Sequence, residues 1–358
     1  MASYYKVLLA LVIVQLGYGG YGVIVAKFAK SQNVNPVLFA LTRLGGAFPV
    51  LLLTSVIFEQ GLQIPKPKEA GLFLLLGLTG SSLSILFCVL GIRFTNAKVA
   101  TIFQSAMPVW TALLAILTRI EPRPEFTRME GWTRIFGIVL ASTGAITMML
   151  FSSVRDAVKD FLHPTYGDII GYCFLLGNTL CMTAYVLIQK KFIFNNEESP
   201  WKNKPIGVTA WSYLVGATTM AMAAMYCLSR PGNLTYVVGE QVYSVLYAIF
   251  IASFLCDMLI TWCNMHISSS VVTATWPLQV LVSAVLSYIV LDELMNTVQI
   301  VGGALIMFGL ISVVWSNYRT EQEKKENALF ARGISSLEGR EEVFLPLEET
   351  GDISNKAK

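Results

Sequence analysis

A succession of long apolar segments constrains the fold of this chain more than any other feature. A bilayer core about 30 Å thick is crossed by roughly 20 mostly apolar residues in a helix, and within lipid a helix pairs its own backbone polar groups. The sequence therefore predicts an all-α, polytopic membrane protein with ten transmembrane helices. The predicted spans lie near residues 4–29, 36–58, 70–93, 97–118, 132–152, 167–189, 206–228, 241–265, 269–291 and 297–317.

Composition supports a membrane protein and excludes several other classes. Hydrophobic residues make up 54% of the chain and charged residues only 14%, whereas a soluble domain carries roughly 25% charged residues. A net charge of +3 without any basic run argues against nucleic-acid binding. The chain has six cysteines without a CxxC pair and only two histidines, so we predict no metal site and no cofactor. Because no catalytic motif or phosphate-binding loop is present, we predict no enzymatic activity.

The distribution of lysine and arginine predicts the orientation in the membrane. With the N-terminus inside, the cytosolic segments hold fourteen of these residues near the spans and the opposite segments hold seven. Positive residues are enriched in cytoplasmic loops. We therefore expect both termini in the cytosol, with a lipid bilayer as the surroundings of a multi-pass protein.

The two halves of the chain repeat a common pattern in their last two spans. In each half, a proline is followed by a glutamate and then by two glycines seven residues apart; these residues are Pro108, Glu121, Gly137 and Gly144, and then Pro277, Glu293, Gly302 and Gly309. Five helices per half is an odd number, so the second copy enters the membrane upside down. Such inverted repeats are typical of transporters, with the substrate site near the midplane.

The repeat predicts four regions along the chain. Residues 4–152 form the first five-helix repeat, residues 153–166 connect the halves, and residues 167–317 form the second repeat. Residues 318–358 are polar, and we expect a disordered cytosolic tail there.

The two prolines are candidate helix breaks. Each lacks a backbone N–H and leaves unpaired the carbonyl four residues earlier, which belongs to Gln104 before Pro108 and to Thr273 before Pro277. Freed backbone groups in a membrane need partners within the protein or a wet cavity. Helix kinks satisfied by neighbouring helices and breaks that line a cavity are both compatible with the sequence, and the repetition in both halves favours the cavity.

Asp257 is a candidate proton-coupling residue because it lies deep in the eighth span. A carboxylate near the bilayer centre costs roughly 3 kcal/mol or more and usually has a function. Thr261 and Asn264 share its helix face. Arg43, in the second span, is a candidate partner for this acid or for a substrate carboxylate. The alternatives are a buried acid bonded to another helix and an arginine that reaches the membrane surface.

The remaining candidates for substrate contact are polar or aromatic residues within the spans. Gln15 and Tyr18 share a face of the first span, among several glycines that favour close helix packing. Trp276 directly precedes the second proline, and its ring is a candidate cavity wall. The predicted substrate-binding set is Gln15, Tyr18, Arg43, Gln104, Thr261, Asn264, Thr273 and Trp276.

These segments together resemble a transporter family. Several segments occur in the order and spacing of the plant transporters related to the walls-are-thin protein. They are Gln15-Leu-Gly-Tyr-Gly-Gly, the segment Phe39 to Arg43, the spacing of each proline to its glutamate, and Thr261-Trp-Cys. These transporters belong to the EamA branch of the drug/metabolite transporter superfamily. The resemblance covers nearly all of residues 4–317.

The resemblance implies a ten-helix carrier of two inverted EamA-type halves that works by alternating access. It implies an amino acid or similar small polar organic solute as substrate, and the plasma membrane or vacuole as location. Gln15, Arg43, Pro108, Pro277 and the two glutamates fall on family positions. The chain departs from the family at Ser105, at Asp257 and Ile260, and at Ser268-Ser-Ser. We therefore interpret it as a divergent member.

Two alternative functions stay open at the level of sequence. A nucleotide-sugar or sugar-phosphate carrier would need several cationic residues to bind phosphate, whereas only Arg43 lies clearly within a span. A non-transporting membrane scaffold would use the polar tail to recruit partners. Nothing in the sequence indicates an oligomeric state.

Overall fold

The structure is a computed structural model that describes most of the chain. The described residues are 4–29, 35–59, 61–95, 97–121, 129–150, 166–228, 241–291 and 297–341.

The first half of the described chain consists of helices α1 to α5. They are α1 (Tyr4–Ala29), α2 (Pro36–Phe58), α3 (Pro67–Phe94), the broken helix α4a (Ala97–Ser105) and α4b (Met107–Leu117), and α5 (Met129–Leu150). Asn35 begins α2, because its side-chain oxygen accepts a 2.9 Å hydrogen bond from the Val37 amide and the proline that follows is suited to a first turn.

The second half repeats this order with helices α6 to α10. They are α6 (Tyr166–Phe194), α7 (Pro205–Leu228), α8 (Gln241–Tyr247, Ala248–Cys256 and Asp257–His266, continuous), the broken helix α9a (Ser269–Ala274) and α9b (Pro277–Leu291), and α10 (Thr297–Glu341). Seven helices in the described ranges are long and apolar enough to cross a membrane. The predicted all-α membrane fold is confirmed, and the number of ten spans stays a prediction.

Close packing of α5 against α10 shows that equivalent helices of the two halves run in opposite directions. A Cβ atom at Gly137 would lie 2.7 Å from the Gly309 carbonyl oxygen, and one at Gly144 would lie 2.6 Å from that of Gly302. The earlier glycine of one helix thus meets the later glycine of the other. The four glycines of the repeated pattern form one antiparallel contact between the two halves.

The pair α2 and α7 has the same inverted relation. Glu59, at the end of α2, accepts hydrogen bonds from the Ile206 and Gly207 amides at the start of α7, at 2.7 and 2.8 Å. Other packing is repeated as well: α1 lies against α8 and α9b as α6 lies against α3 and α4b. The described residues therefore form two related halves of opposite orientation.

The C-terminal segment differs from the prediction. Helix α10 continues to Glu341, so residues 318–341 are helical instead of disordered. This part is rich in glutamate, lysine, arginine and alanine, which favour helices, and it extends an existing helix without a new nucleation step. Residues 342–358 lie outside the described residues, as does the predicted connecting segment apart from Tyr166.

Candidate functional site

A cavity of about 350 Å³ lies between the two halves of the bundle. Side chains from α1, α2, α7 and α8 form one wall, and side chains from α3, α4 and α6 form the other. Trp276, Pro277 and Gln279 come from the break in α9. The first wall contains charged residues, and the second is neutral but polar.

Asp257 is the centre of the charged wall. Its two carboxylate oxygens accept hydrogen bonds from the phenol groups of Tyr18 on α1 and Tyr213 on α7. The acid lies where the wider helical turns of Ala248–Cys256 end and regular α-helix resumes. Such wider turns frequently occur at functional sites, and here one directly precedes the cavity-lining carboxylate.

Arg43 completes the charged wall. Its Nη2 atom lies 3.5 Å from an Asp257 carboxylate oxygen, and its Nε donates a 2.5 Å hydrogen bond to Ser253 Oγ. The guanidinium also lies over the Tyr21 ring, 5.3 Å from its centroid. The side chains of Arg43 and Asp257 keep 18% and 21% of their surface exposed. Because both residues line the cavity, this exposed surface offers an ion pair to a solute.

The neutral wall carries amide, thiol and hydroxyl groups. Gln104 on α4a donates from Nε2 to the Cys88 sulfur on α3 at 3.6 Å. Asn178 on α6 donates from Nδ2 to the Ser84 carbonyl oxygen at 2.7 Å. All four residues line the cavity, so this wall can exchange hydrogen bonds but offers no charge.

The two helices with a predicted proline break, α4 and α9, are interrupted next to the cavity. Helix α4a ends at Ser105 and α4b begins at Met107, while α9a ends at Ala274 and α9b begins at Pro277. The Thr273 carbonyl, which loses its partner four residues on, instead accepts a 2.9 Å hydrogen bond from the Trp276 amide. Pro108 itself is buried in the first turn of α4b. The breaks bring Gln104, Trp276 and Pro277 to the cavity.

The structure brings six of the predicted site residues together at the cavity and places five outside its lining. Tyr18, Arg43, Gln104, Asp257, Trp276 and Pro277 line it. Pro108 is buried in α4b, and four residues predicted as substrate contacts are fully buried: Gln15, Thr261, Asn264 and Thr273.

Hydrogen bonds to other helices hold three of these four residues, and Thr273 bonds within its own helix. Gln15 Nε2 donates to Thr275 Oγ1 at the break of α9, at 3.0 Å. Thr261 accepts a 3.0 Å hydrogen bond from Thr209 on α7, and Asn264 donates to the Val186 carbonyl at 2.9 Å. Thr273 donates to carbonyls of its own helix. In the described geometry these four side chains do not line the cavity, and their contact with substrate stays a prediction.

Below the cavity, polar contacts tie the helices together at the end of the bundle where Tyr4 lies. Glu121, which follows α4b, accepts hydrogen bonds from the Ser270 amide and hydroxyl and a 2.6 Å ion-pair contact from Arg134 on α5. The Lys190 ammonium on α6 donates to the Asn264 and Ile267 carbonyls. Glu121 therefore joins the first half to α9a of the second half at this end of the bundle.

Several residues that line the cavity are not among the predicted site residues. Tyr213 lies in the middle of α7 among Thr209 and Ser212, a polar cluster in an apolar span that signals an inward face. Asn178 is likewise an amide in the middle of a span. Cys88 was counted only among six cysteines without a CxxC pair, and its place in the wall depends on tertiary packing.

Comparison with known proteins identifies relatives of the whole bundle. The EamA-like transporter family matches residues 5–150 and again residues 169–315, once in each half. A solved crystal structure is similar to the chain with a TM-score of 0.68 at 14% identity, covering 88% of this chain and 100% of that one. At this identity the likeness concerns the fold alone.

Two proteins of Arabidopsis thaliana are similar over most of their length. A WAT1-related protein is 24% identical over 329 residues, covering 89% of this chain and 83% of the relative. The protein WALLS ARE THIN 1 is 25% identical over 350 residues, covering 92% and 86%. These low identities agree with the expectation of a divergent member.

Proposed function

Because this chain belongs to the EamA-like transporter family, we propose that it carries amino acids or similarly small polar organic solutes across the membrane by alternating access. The observation that carries this proposal is the partly exposed ion pair of Arg43 and Asp257 in a cavity between two inverted halves. A carboxylate and a guanidinium within a membrane are costly unless they have a role. A zwitterionic solute has a carboxylate for the guanidinium and an ammonium that can donate to the carboxyl group.

The chemistry of the charged wall matches the two ends of an amino acid. The substrate carboxylate binds the Arg43 guanidinium, which has five N–H donors in total. Its Nε contacts Ser253 and its Nη2 contacts Asp257, so donors remain for the substrate. The substrate ammonium donates a hydrogen bond to the Asp257 carboxyl group, which keeps acceptor capacity whether or not it carries a proton. The helix breaks beside Pro108 and Pro277, which fall on family positions, supply the conformational change that alternating access requires.

The size and charge of the cavity argue against a nucleotide-sugar carrier. Its volume of about 350 Å³ is near the lower end of the roughly 300–1,000 Å³ typical of small-molecule sites. Among the described residues that line it, Arg43 alone is cationic, whereas phosphate recognition uses several cations. A scaffold, the alternative from another class, has no need for an accessible internal ion pair.

Asp257 is the proposed proton-coupling residue. A proton on this carboxylate removes its charge, releases Arg43 from the ion pair and frees the guanidinium for a substrate carboxylate. Deprotonation restores the pair and favours release of the substrate. The two tyrosines that donate to Asp257 hold the carboxylate in place in the charged state.

The test is uptake of a radiolabelled amino acid by proteoliposomes, with and without a pH gradient, for wild type and Asp257→Asn. Proton coupling predicts that the variant loses accumulation driven by the gradient and keeps exchange of substrate between the two sides, because exchange moves no net proton. Glu197→Gln, which removes an acid that is 86% exposed in a surface ion pair, is the matched control and retains both activities.

Three other outcomes have different meanings. A purely structural ion pair predicts that Asp257→Asn misfolds or loses accumulation and exchange together, because Arg43 is left uncompensated. A variant that folds and still accumulates substrate with the pH gradient contradicts proton coupling. Absence of amino-acid uptake by the wild type contradicts the proposed substrate class.

A further inference from the structure

The neutral wall of the cavity is related to the charged wall by the inverted repeat. Gly17 on α1 packs so closely on α8 that a Cβ atom there would collide with Cys256, and Gly177 on α6 packs in the same way on Phe87 of α3. In all four cases, the next residue in the chain after the contacting residue is one that lines the cavity. Tyr18 therefore corresponds to Asn178, and Asp257 corresponds to Cys88.

A second pair of glycines gives the same relation for α2 and α7. Gly46 packs on Ile249 of α8, and Gly216 packs on Ser81 of α3. Arg43 and Tyr213 each precede their glycine by three residues and both line the cavity. Arg43 therefore corresponds to the neutral Tyr213, which itself lies in the charged wall and donates to Asp257.

One polar atom in the neutral wall has no partner among the described residues. Asn178 is only 4% exposed, and its Nδ2 donates to the Ser84 carbonyl oxygen. Its Oδ1 is buried and accepts no hydrogen bond. Because Ser84 O can only accept, the orientation of this amide is fixed, and the unpaired atom is an acceptor. Buried polar atoms are rarely left unpaired without a reason.

From these observations, and resting on the proposed function, we propose that Asn178, Gln104 and Cys88 form a second subsite that recognises a neutral hydrogen-bond donor on the substrate side chain. The charged wall binds the ammonium and carboxylate groups that all amino acids share. The neutral wall then distinguishes among side chains. Asn178 Oδ1 accepts a hydrogen bond from a carboxamide N–H or a hydroxyl, so the preferred substrates are amino acids with amide or hydroxyl side chains.

The test compares uptake of asparagine and leucine by proteoliposomes, because the two side chains are close in size and differ in the carboxamide. We expect the wild type to prefer asparagine. Asn178→Leu and Gln104→Leu each remove a hydrogen-bonding group from this subsite, and each lowers the asparagine-to-leucine ratio of kcat/KM by roughly tenfold. Exchange of leucine is retained, because the charged wall is intact.

Thr179→Val is the matched control, since Thr179 is fully buried and its hydroxyl donates only to the Leu176 carbonyl within α6. This variant leaves the ratio unchanged. Size-exclusion profiles establish which variants fold. If Asn178→Leu does not fold, Gln104→Leu and Cys88→Ala provide the same measurement from α4a and α3.

The outcomes separate this inference from the proposed function. Uptake of both amino acids with an unchanged ratio in the folded variants, or a wild type without preference, overturns the second subsite and leaves the proposed carrier intact. Absence of uptake of any amino acid by the wild type overturns the proposed function and the second subsite with it.

Discussion

The contact between α5 and α10 provides a quantitative test of the inverted fold through Gly144→Ala. The new methyl group would lie 2.6 Å from the Gly302 carbonyl oxygen, 2.8 Å from the Ile306 nitrogen and 2.9 Å from Leu305 Cβ. Two of these three neighbours are backbone atoms, which cannot rotate away. The helices must therefore separate by several tenths of an ångström along this contact.

The expected cost follows from overpacking in a close-packed interior, which is typically about 1–3 kcal/mol. Alanine has the better intrinsic helix propensity, by roughly 0.8–1 kcal/mol, so the net destabilisation is about 0–2 kcal/mol for Gly144→Ala alone. Gly137→Ala, whose methyl would lie 2.7 Å from the Gly309 carbonyl oxygen, strains the same contact. If the two net costs add, the double variant is expected to lose about 0–4 kcal/mol, centred near 2 kcal/mol.

The control is Gly45→Ala on α2, because a Cβ atom at Gly45 has no neighbour within 4 Å. The assay is thermal unfolding of the purified protein in detergent, followed by size exclusion. We expect the double variant Gly144→Ala with Gly137→Ala to unfold at a lower temperature and Gly45→Ala to unfold at the same or a higher one. A double variant as stable as Gly45→Ala would refute the close antiparallel contact.

Three further predictions concern the cavity, the contacts of Glu121 and the orientation of the chain in the membrane. In a background where the exposed Cys173 is replaced by serine, a methanethiosulfonate reagent should modify Cys88, and substrate should protect Cys88 from the reagent. The buried Cys263 should stay unmodified. Modification of Cys88 that substrate does not reduce would count against the site. Glu121→Gln should weaken the contacts to Arg134 and Ser270 by about 1.5–3 kcal/mol and lower the unfolding temperature, and unchanged stability would contradict the role of Glu121 as a tie between the halves. A C-terminal tag should be digested by protease added to inside-out vesicles, and a shielded tag would contradict cytosolic termini.

Sequence periodicity and hydropathy were sufficient for the architecture. Apolar segments of about 20 residues define the helical membrane fold, and the glycine spacing of 137 to 144 and 302 to 309 identified residues that pack on each other in the structure. The breaks beside Pro108 and Pro277 follow from the chemistry of proline. These features depend on local sequence or on a repeated pattern.

The site was only partly predictable, because partners across helices depend on rotation about each helix axis. Arg43 and Asp257 were proposed as partners only because a charged side chain within the membrane is energetically costly. They form an ion pair in the structure. The energetic cost of burying a polar group did not distinguish residues that line the cavity from residues paired behind its walls. Gln15 is as polar as Gln104, yet Gln15 bonds to Thr275 inside the protein. The tail was mispredicted because polarity suggested disorder while its helix formers extend α10.

Solute counterflow with the purified protein tests the central claim most directly. Proteoliposomes loaded with unlabelled solute are given the labelled solute outside, for a panel of amino acids and one nucleotide sugar, with wild type and Arg43→Met. We predict that wild type exchanges amino acids and not the nucleotide sugar, and that Arg43→Met loses this exchange, because the substrate carboxylate has no cation in the cavity to bind. Exchange of the nucleotide sugar alone, no exchange at all, or full amino-acid exchange by a folded Arg43→Met would contradict a carrier that binds its substrate at the Arg43 and Asp257 ion pair.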